Sequence, residues 1–198
     1  NNINKISTIT NFLKPISLNM DIIAFSIKRI IKGFFKKLVI VEILFILFNH
    51  LQTLHITWYV SISIIIISYM ILYFDLSGYS DIAIAFGGLM GIVVPENFKK
   101  PWAAPTMTQF WRNWHVTLSD FIREHIQVVV VKKRLTKLQG GLIGLFTMII
   151  MSLWHGFNIP YVIAGIYLGC ILLLENIFSL TTLIREQLIR YILLLDVY

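Results

Sequence analysis

Two histidines, His155 and His115, sit where an imidazole could do chemistry rather than only pack. His155 falls near the end of the apolar segment Gly140 to Phe157, between Trp154 and Gly156. Polar groups at such depth are costly and usually face a bundle interior or a water-filled cavity, which makes an intramembrane imidazole a functional candidate. The plainer account is a packing histidine bonded to a neighbouring carbonyl. His115 closes the run Phe110-Trp111-Arg112-Asn113-Trp114-His115, where indole, guanidinium, amide and imidazole groups share a short stretch. The same run also reads as an interfacial belt, with the indoles at headgroup level and Arg112 against lipid phosphate. Asp75, Ser77, Tyr79, Ser80 and Asp81 form a third polar concentration. Two carboxylates six positions apart could serve acid–base work, or could cap a following segment. His50, His55 and His125 lie in polar or amphipathic surroundings and are weaker candidates.

Several familiar sites are missing from the chain. It has no Gly-rich phosphate loop, no nucleophile elbow, no His-Glu-x-x-His zinc motif and no nucleic-acid-binding module. No bound cofactor or metal is expected. Cys170, the only cysteine, lies inside an apolar run, so neither a disulfide framework nor a cysteine-rich metal site can form within the chain. Of the 198 residues, 57% are hydrophobic and only 14% charged, with a mean hydropathy of +0.77, more apolar surface than a water-soluble globule of this size could hide. The net charge of +7 would raise nucleic acid as a partner in a soluble protein. Here the positive residues cluster beside apolar runs, and membrane topology explains them better.

Hydropathy then places the elements that carry these residues. Ile56 to Phe74 is nineteen residues without a formal charge, close to the ~20 a helix needs to cross a hydrocarbon core. Leu38 to Leu51, with Phe34 and Phe35 added, could pair with it through a turn at Gln52 to His55. Gly140 to Phe157 and Ile159 to Leu174 form a second pair, split at Asn158 and Pro160. Lys28, Arg29, Lys32, Lys36 and Lys37 precede the first pair, and Lys132, Lys133, Arg134 and Lys137 the second; both clusters should be cytoplasmic. Lys99 and Lys100 favour the same side, so Tyr79 to Val94 is expected to be re-entrant or interfacial rather than a full crossing. Thr106 with Gln109 reads as a capping box opening one amphipathic helix to Ile126, with Phe110, Trp114, Leu118, Phe121 and Ile122 on its apolar face. The fold class expected is all-α: a multi-pass transmembrane helical bundle with a re-entrant or interfacial helical segment. The lack of an initiator Met, and an apolar run that has only begun at Tyr191 to Tyr198, suggest a piece of a longer protein.

In their order, these stretches resemble the membrane-bound O-acyltransferase family, in the bacterial branch that acylates cell-envelope polymers. The resemblance is carried by Gly33-Phe34-Phe35-Lys36-Lys37-Leu38-Val39-Ile40, by Phe74-Asp75-Leu76-Ser77-Gly78-Tyr79-Ser80-Asp81, and by Pro95-Glu96-Asn97-Phe98. Phe110 to His115 and Trp154-His155-Gly156 continue it, and the whole likeness runs from about Lys28 to Glu175 within a partial domain spanning 1–198. It is strongest to alginate-type O-acetyltransferases, with the D-alanyl transfer proteins of teichoic-acid modification as close rivals. Where family members commonly carry Arg-Asp-Tyr, this chain has Arg123-Glu124-His125, followed by Val128 to Val131 in place of a Pro-Leu-Gly-Gly turn.

The resemblance implies an acyl transfer, acetyl foremost, from a thioester donor of the acyl-CoA or acyl-carrier type to hydroxyls of an exported polysaccharide or peptidoglycan. It places His155 at the family's catalytic histidine and His115 at its second functional histidine. Imidazole suits the task because its pKa lies near neutrality. Trp111, Arg112, Asn113 and Trp114, with Asp75 and Tyr79, are the substrate-binding residues expected around them. Partners implied are a donor from the cytoplasm, an envelope polymer, the bilayer of the bacterial cytoplasmic membrane, and other acylation or export proteins. Readings of other kinds remain open: a transporter or pore component whose His and Asp line a path, or an inactive truncated remnant.

Overall fold

The computed structural model describes residues 18–122 and 135–178. All regular elements among them are helical. Two compact units part between Glu96 and Asn97.

The first unit is built from α1 (Met20–Phe35), a wide π-helical turn at Lys36–Ile40, α2 (Val41–Thr53) and α3 (Trp58–Leu89). Asn19 opens α1 by accepting from the Ile22 amide at 2.9 Å, and Thr57 caps α3 in the same way. The turn at 54–57 lies two residues beyond the stretch expected from sequence. At the crossing of α1 and α3, Gly33 and Gly78 meet backbone to backbone. A Cβ built on Gly33 would stand 2.7 Å from the Gly78 carbonyl oxygen, closer than real side chains approach. Small residues at such a point let helices touch without hydrophobic driving force.

One expectation is corrected here. Tyr79 to Val94 is not a separate re-entrant element: α3 continues through Asp75 and Asp81 as a single 32-residue helix, about 48 Å long at 1.5 Å per residue. The polar stretch does not break it because its charges are met from α1 and the π-turn. Asp81, only 4% exposed, accepts from Arg29 Nε at 2.9 Å and Lys36 Nζ at 2.7 Å. Lys36 also donates to Ser77 at 3.1 Å, and Lys37 pairs with Asp75. Arg29 further pairs with Glu96 and lies over the Phe25 ring. So Arg29, Lys36 and Lys37, first read as topology signals, also hold helices together. The helix stops at Gly91, whose left-handed φ of 74° lets Ile92 N–H reach the Gly87 carbonyl and Gly91 N–H reach Gly88.

The second unit holds a 3-10 turn at Pro101–Ala103, α4 (Met107–Asn113), a helix α5 described over 116–122, α6 (Lys137–Leu153) and α7 (Ile159–Ile177). The pair α6 and α7 is the second hairpin expected from sequence, with Asn158 as the N-cap and Pro160 in the first turn. Gly165 and Gly169 bring its helices close: a Cβ on either would stand 2.8 Å from the Cα of Ile149 or Leu145. Against this pair, Ile122, Met148, Met151 and Leu172 form a small core on which Trp111 and Leu118 pack. A full capping box closes α6 through Thr136 and Gln139.

The single helix expected from Thr106 to Ile126 is instead two, broken at Trp114 and His115. Residues 123–126, with Arg123, Glu124 and His125, lie outside the described residues, as do Val128 to Val131 and Lys132, Lys133 and Arg134. At Thr106 only half of the expected box forms. Thr106 Oγ1 accepts from the Gln109 amide at 3.1 Å, but the Gln109 side chain donates onward to Asn113 Oδ1 at 3.2 Å.

Two helices, Trp58–Leu89 and Ile159–Ile177, are long and apolar enough to cross a membrane, while Lys137–Leu153 is apolar but shorter. Ile43, Ile46, Ile62, Ile65, Ile66 and Leu72 remain exposed on α2 and α3. A patch of that kind is a liability in water and ordinary in lipid.

Candidate active site

Trp111, Arg112 and Asn113 on α4, with Trp114 and His115 just beyond it, stand on short elements that must be fixed from outside. A seven-residue helix is marginal alone. Glu175, buried on α7, accepts from the Thr108 amide at 2.9 Å and from its hydroxyl at 3.1 Å, and so holds the start of α4. At the far end Trp114 is buried, stacked on Phe110 with centroids 5.7 Å apart and met edge-on by Phe98 at 5.1 Å. His115 follows with φ of 46°, a left-handed conformation uncommon for any residue but glycine. Strain of this type persists only where surroundings enforce it, and it gathers at functional sites.

The two histidines come together in this unit on either side of one indole. The His115 ring lies 6.4 Å from Trp154, and Trp154 lies 5.0 Å from His155. His155 in turn stacks on Tyr161 at 6.0 Å with the planes 28° apart. Its placement differs from expectation. His155 is not within a span but in the exposed turn after α6, where Trp154, His155 and Gly156 donate to the carbonyls of Ile150, Ser152 and Leu153. The helix ends there because Asn158 and Pro160 already begin α7.

The other expected residues are placed as follows. Trp111 packs on the core with its Nε1 buried, and His115 Nδ1 is buried too; neither has a hydrogen-bond partner among the described residues. Buried nitrogens without a partner call for an explanation, and a ligand atom would be one. Arg112 is exposed, and Asn113 is tied to Gln109. Asp75 and Tyr79 belong to the first unit, where Asp75 pairs with Lys37 and Tyr79 is 66% exposed. Sequence reading missed Glu175, whose only signal was a carboxylate inside an apolar run. It also missed that Asn97 Oδ1 accepts from the Thr117 amide and hydroxyl.

Burial pushes the His115 pKa down from the ordinary 6.5; the nearness of its own backbone carbonyl, short of a formed hydrogen bond, opposes this, and a charged His155 reinforces it. The unfolded chain therefore takes up a proton at His115 before the folded one does. Stability from this group is intact above the unfolded value and is lost as pH falls below it through the depressed folded value. Thermal unfolding of the detergent-solubilised protein should show the midpoint falling on acidification from about pH 7.5 to about pH 5. A His115→Gln variant should fall less. Parallel profiles for the two proteins would contradict this account.

The comparisons with known proteins show the family. Residues 12–191 match MBOAT, the membrane-bound O-acyltransferase family. This chain belongs to that family. It is 36% identical over 155 residues to the "Probable alginate O-acetylase AlgI" of Pseudomonas fluorescens, covering 78% of this chain and 31% of that protein. It is 35% identical over 111 residues to the peptidoglycan O-acetyltransferase of Helicobacter pylori, covering 56% and 21%. It is 34% identical over 117 residues to the teichoic acid D-alanyltransferase of Bacillus subtilis, covering 56% and 30%. The matched part of this family member thus spans under a third of each of these relatives.

Proposed function

We propose that this chain serves a multi-pass acyltransferase of the bacterial cytoplasmic membrane. The enzyme moves an acyl group, acetyl foremost, from a cytoplasmic thioester to hydroxyls of an exported polysaccharide or peptidoglycan. The observation that carries the reading is the pair of imidazoles flanking Trp154. His155, exposed beside Tyr161, is the base. It takes the acceptor hydroxyl proton as the oxygen attacks the thioester carbonyl. The tetrahedral oxyanion is met by the unpaired nitrogen of His115 or Trp111. Collapse breaks the carbon–sulfur bond, and the departing sulfur receives the proton from the His155 imidazolium.

A helix of about 48 Å outruns a hydrocarbon core of about 30 Å. The Asp75 and Asp81 end of α3, with its lysines, then suits the membrane edge, with the positive clusters cytoplasmic as the positive-inside rule prefers.

D-alanyl transfer to teichoic acid is the second reading, because the D-alanyltransferase relative stands within two percentage points of the acetyl-transferring ones. The complete gene, expressed in a host without polymer acylation of its own, should add ester to envelope polymers. Acetate released by mild alkali supports the first reading and D-alanine the second. Ester in neither form would sink both and favour a transporter or a remnant.

A further inference from the structure

The left-handed turn at His115 is flanked by two hydrogen bonds to one short segment. Lys99 N–H donates to the Asn113 carbonyl at 2.9 Å, and Val116 N–H donates to the Asn97 carbonyl at 2.9 Å. His115 thus lies between two rungs that pair 97–99 with 113–116. The Asn97 side chain adds a third tie. Its Oδ1 accepts from the Thr117 amide at 3.1 Å and from the Thr117 hydroxyl at 3.0 Å, which satisfies an orphan donor in the first turn of α5. Between the rungs, Phe98 sets its ring 5.1 Å from Trp114 and 6.2 Å from His115. One side chain therefore fixes where α5 begins, and its neighbour fills the face beside the imidazole.

We infer that Asn97 is a positioning residue for His115: it clamps the start of α5 so that the His115 turn keeps its left-handed form and presents the imidazole beside Trp154. The inference rests on the functional reading of His115 given above. Asn97 touches neither imidazole by hydrogen bond, so its influence runs through the backbone. Enclosure on both sides is what a strained conformation requires in order to persist. An alanine at 97 would keep the two backbone rungs but leave the Thr117 donors without their acceptor. An aspartate would keep the acceptor and favour the helix N-terminus by its charge.

The test uses the complete enzyme in membranes, assayed for ester formation with acyl donor and polymer varied, in wild type, Asn97→Ala, Asn97→Asp, His115→Ala and the double variant Asn97→Ala/His115→Ala. Asn97→Ala should lower kcat by about tenfold or more, as a misplacement of about 1 Å can, with KM for the polymer little changed. Asn97→Asp should restore most of kcat. The double variant should match His115→Ala, because a residue that acts through His115 has nothing left to position. If His115→Ala keeps full activity, the functional reading of His115 fails. If His115→Ala is impaired while Asn97→Ala is not, the positioning role alone fails. A double variant that loses the product of the two single effects, or an Asn97→Ala that raises KM at unchanged kcat, would likewise overturn it. Membrane levels measured on the same samples separate these outcomes from failure to fold.

Discussion

Replacing His155 with alanine should lower ester formation by about 10²–10⁴-fold, the range that a positioned general base contributes. The protein should still accumulate in the membrane. The imidazole is exposed and its ring contacts are with Trp154 and Tyr161, so truncation leaves the close packing of α6 on α7 untouched. Ser152 Oγ still donates to the Tyr161 carbonyl at 2.6 Å across the same turn. A large loss of rate without loss of protein is therefore the expected signature. His155→Gln should be nearly as slow, since an amide can bond the acceptor hydroxyl but cannot accept its proton at neutral pH. His115→Ala should lose less than His155→Ala if His115 stabilises charge rather than moving a proton. Quantified ester on envelope polymers from matched membrane amounts checks all three variants. Equal ester from wild type and His155→Ala would remove the base from the scheme.

The largest effect on folding is expected at Asp81. Asp81→Ala should destabilise the first unit by about 3 kcal/mol, the low end of the range for removing one partner from a buried ion pair. Three cations, Arg29 at 2.9 Å, Lys36 at 2.7 Å and the more exposed Lys32 at 3.8 Å, would then face one another without the carboxylate between them. The low end is appropriate because Arg29 keeps Glu96 and Lys36 keeps Ser77. Asp81→Asn should cost less, because one acceptor remains. The double change Asp81→Leu with Lys36→Met should recover much of the loss, since it removes a pair rather than half of one. Thermal unfolding in detergent, followed by helical circular dichroism, reads these differences. An Asp81→Ala protein within about 0.5 kcal/mol of wild type, the range of ordinary surface changes, would mean that the network holds nothing.

The helices were legible in the sequence where hydropathy and capping agree. The helix expected through Ile56 to Phe74, which begins at Trp58, and the break at Asn158 and Pro160 follow from local chemistry alone, and both are present. Lys99 and Lys100 misled because their preference for the cytoplasmic side argued against a continuous helix through Tyr79, and Asp75 and Asp81 read as caps of a following segment until their partners are known. The partners stand 52 and 45 positions away from Asp81, at Arg29 and Lys36. The turn at His115 was hidden for a similar reason. Phe110, Trp114, Leu118 and Ile122 repeat every four residues across the break, so periodicity continues where the backbone does not. Only the pairing with 97–99 reveals the interruption. The two histidines were legible as types, and the roles proposed for them come from the resemblance in motif order. Their placement around Trp154 depends on α4 being held to α7 through Glu175, a contact 67 positions long.

The wide turn at Lys36–Ile40 carries a further consequence. Such a turn holds one residue more than an α-helical turn of similar rise. Deleting a single residue there would let α1 and α2 merge into one regular helix with both flanks keeping their faces, whereas winding the same residues as ordinary α-helix would rotate everything before them by about 100°. Arg29 would then leave the side of α1 that faces Asp81, and Gly33 would leave its contact with Gly78. Every side chain involved would still be present in the chain. The first unit thus depends on residue count as much as on residue kind. A further one-residue insertion in this short segment should therefore be far less tolerated than the loss of one residue from it.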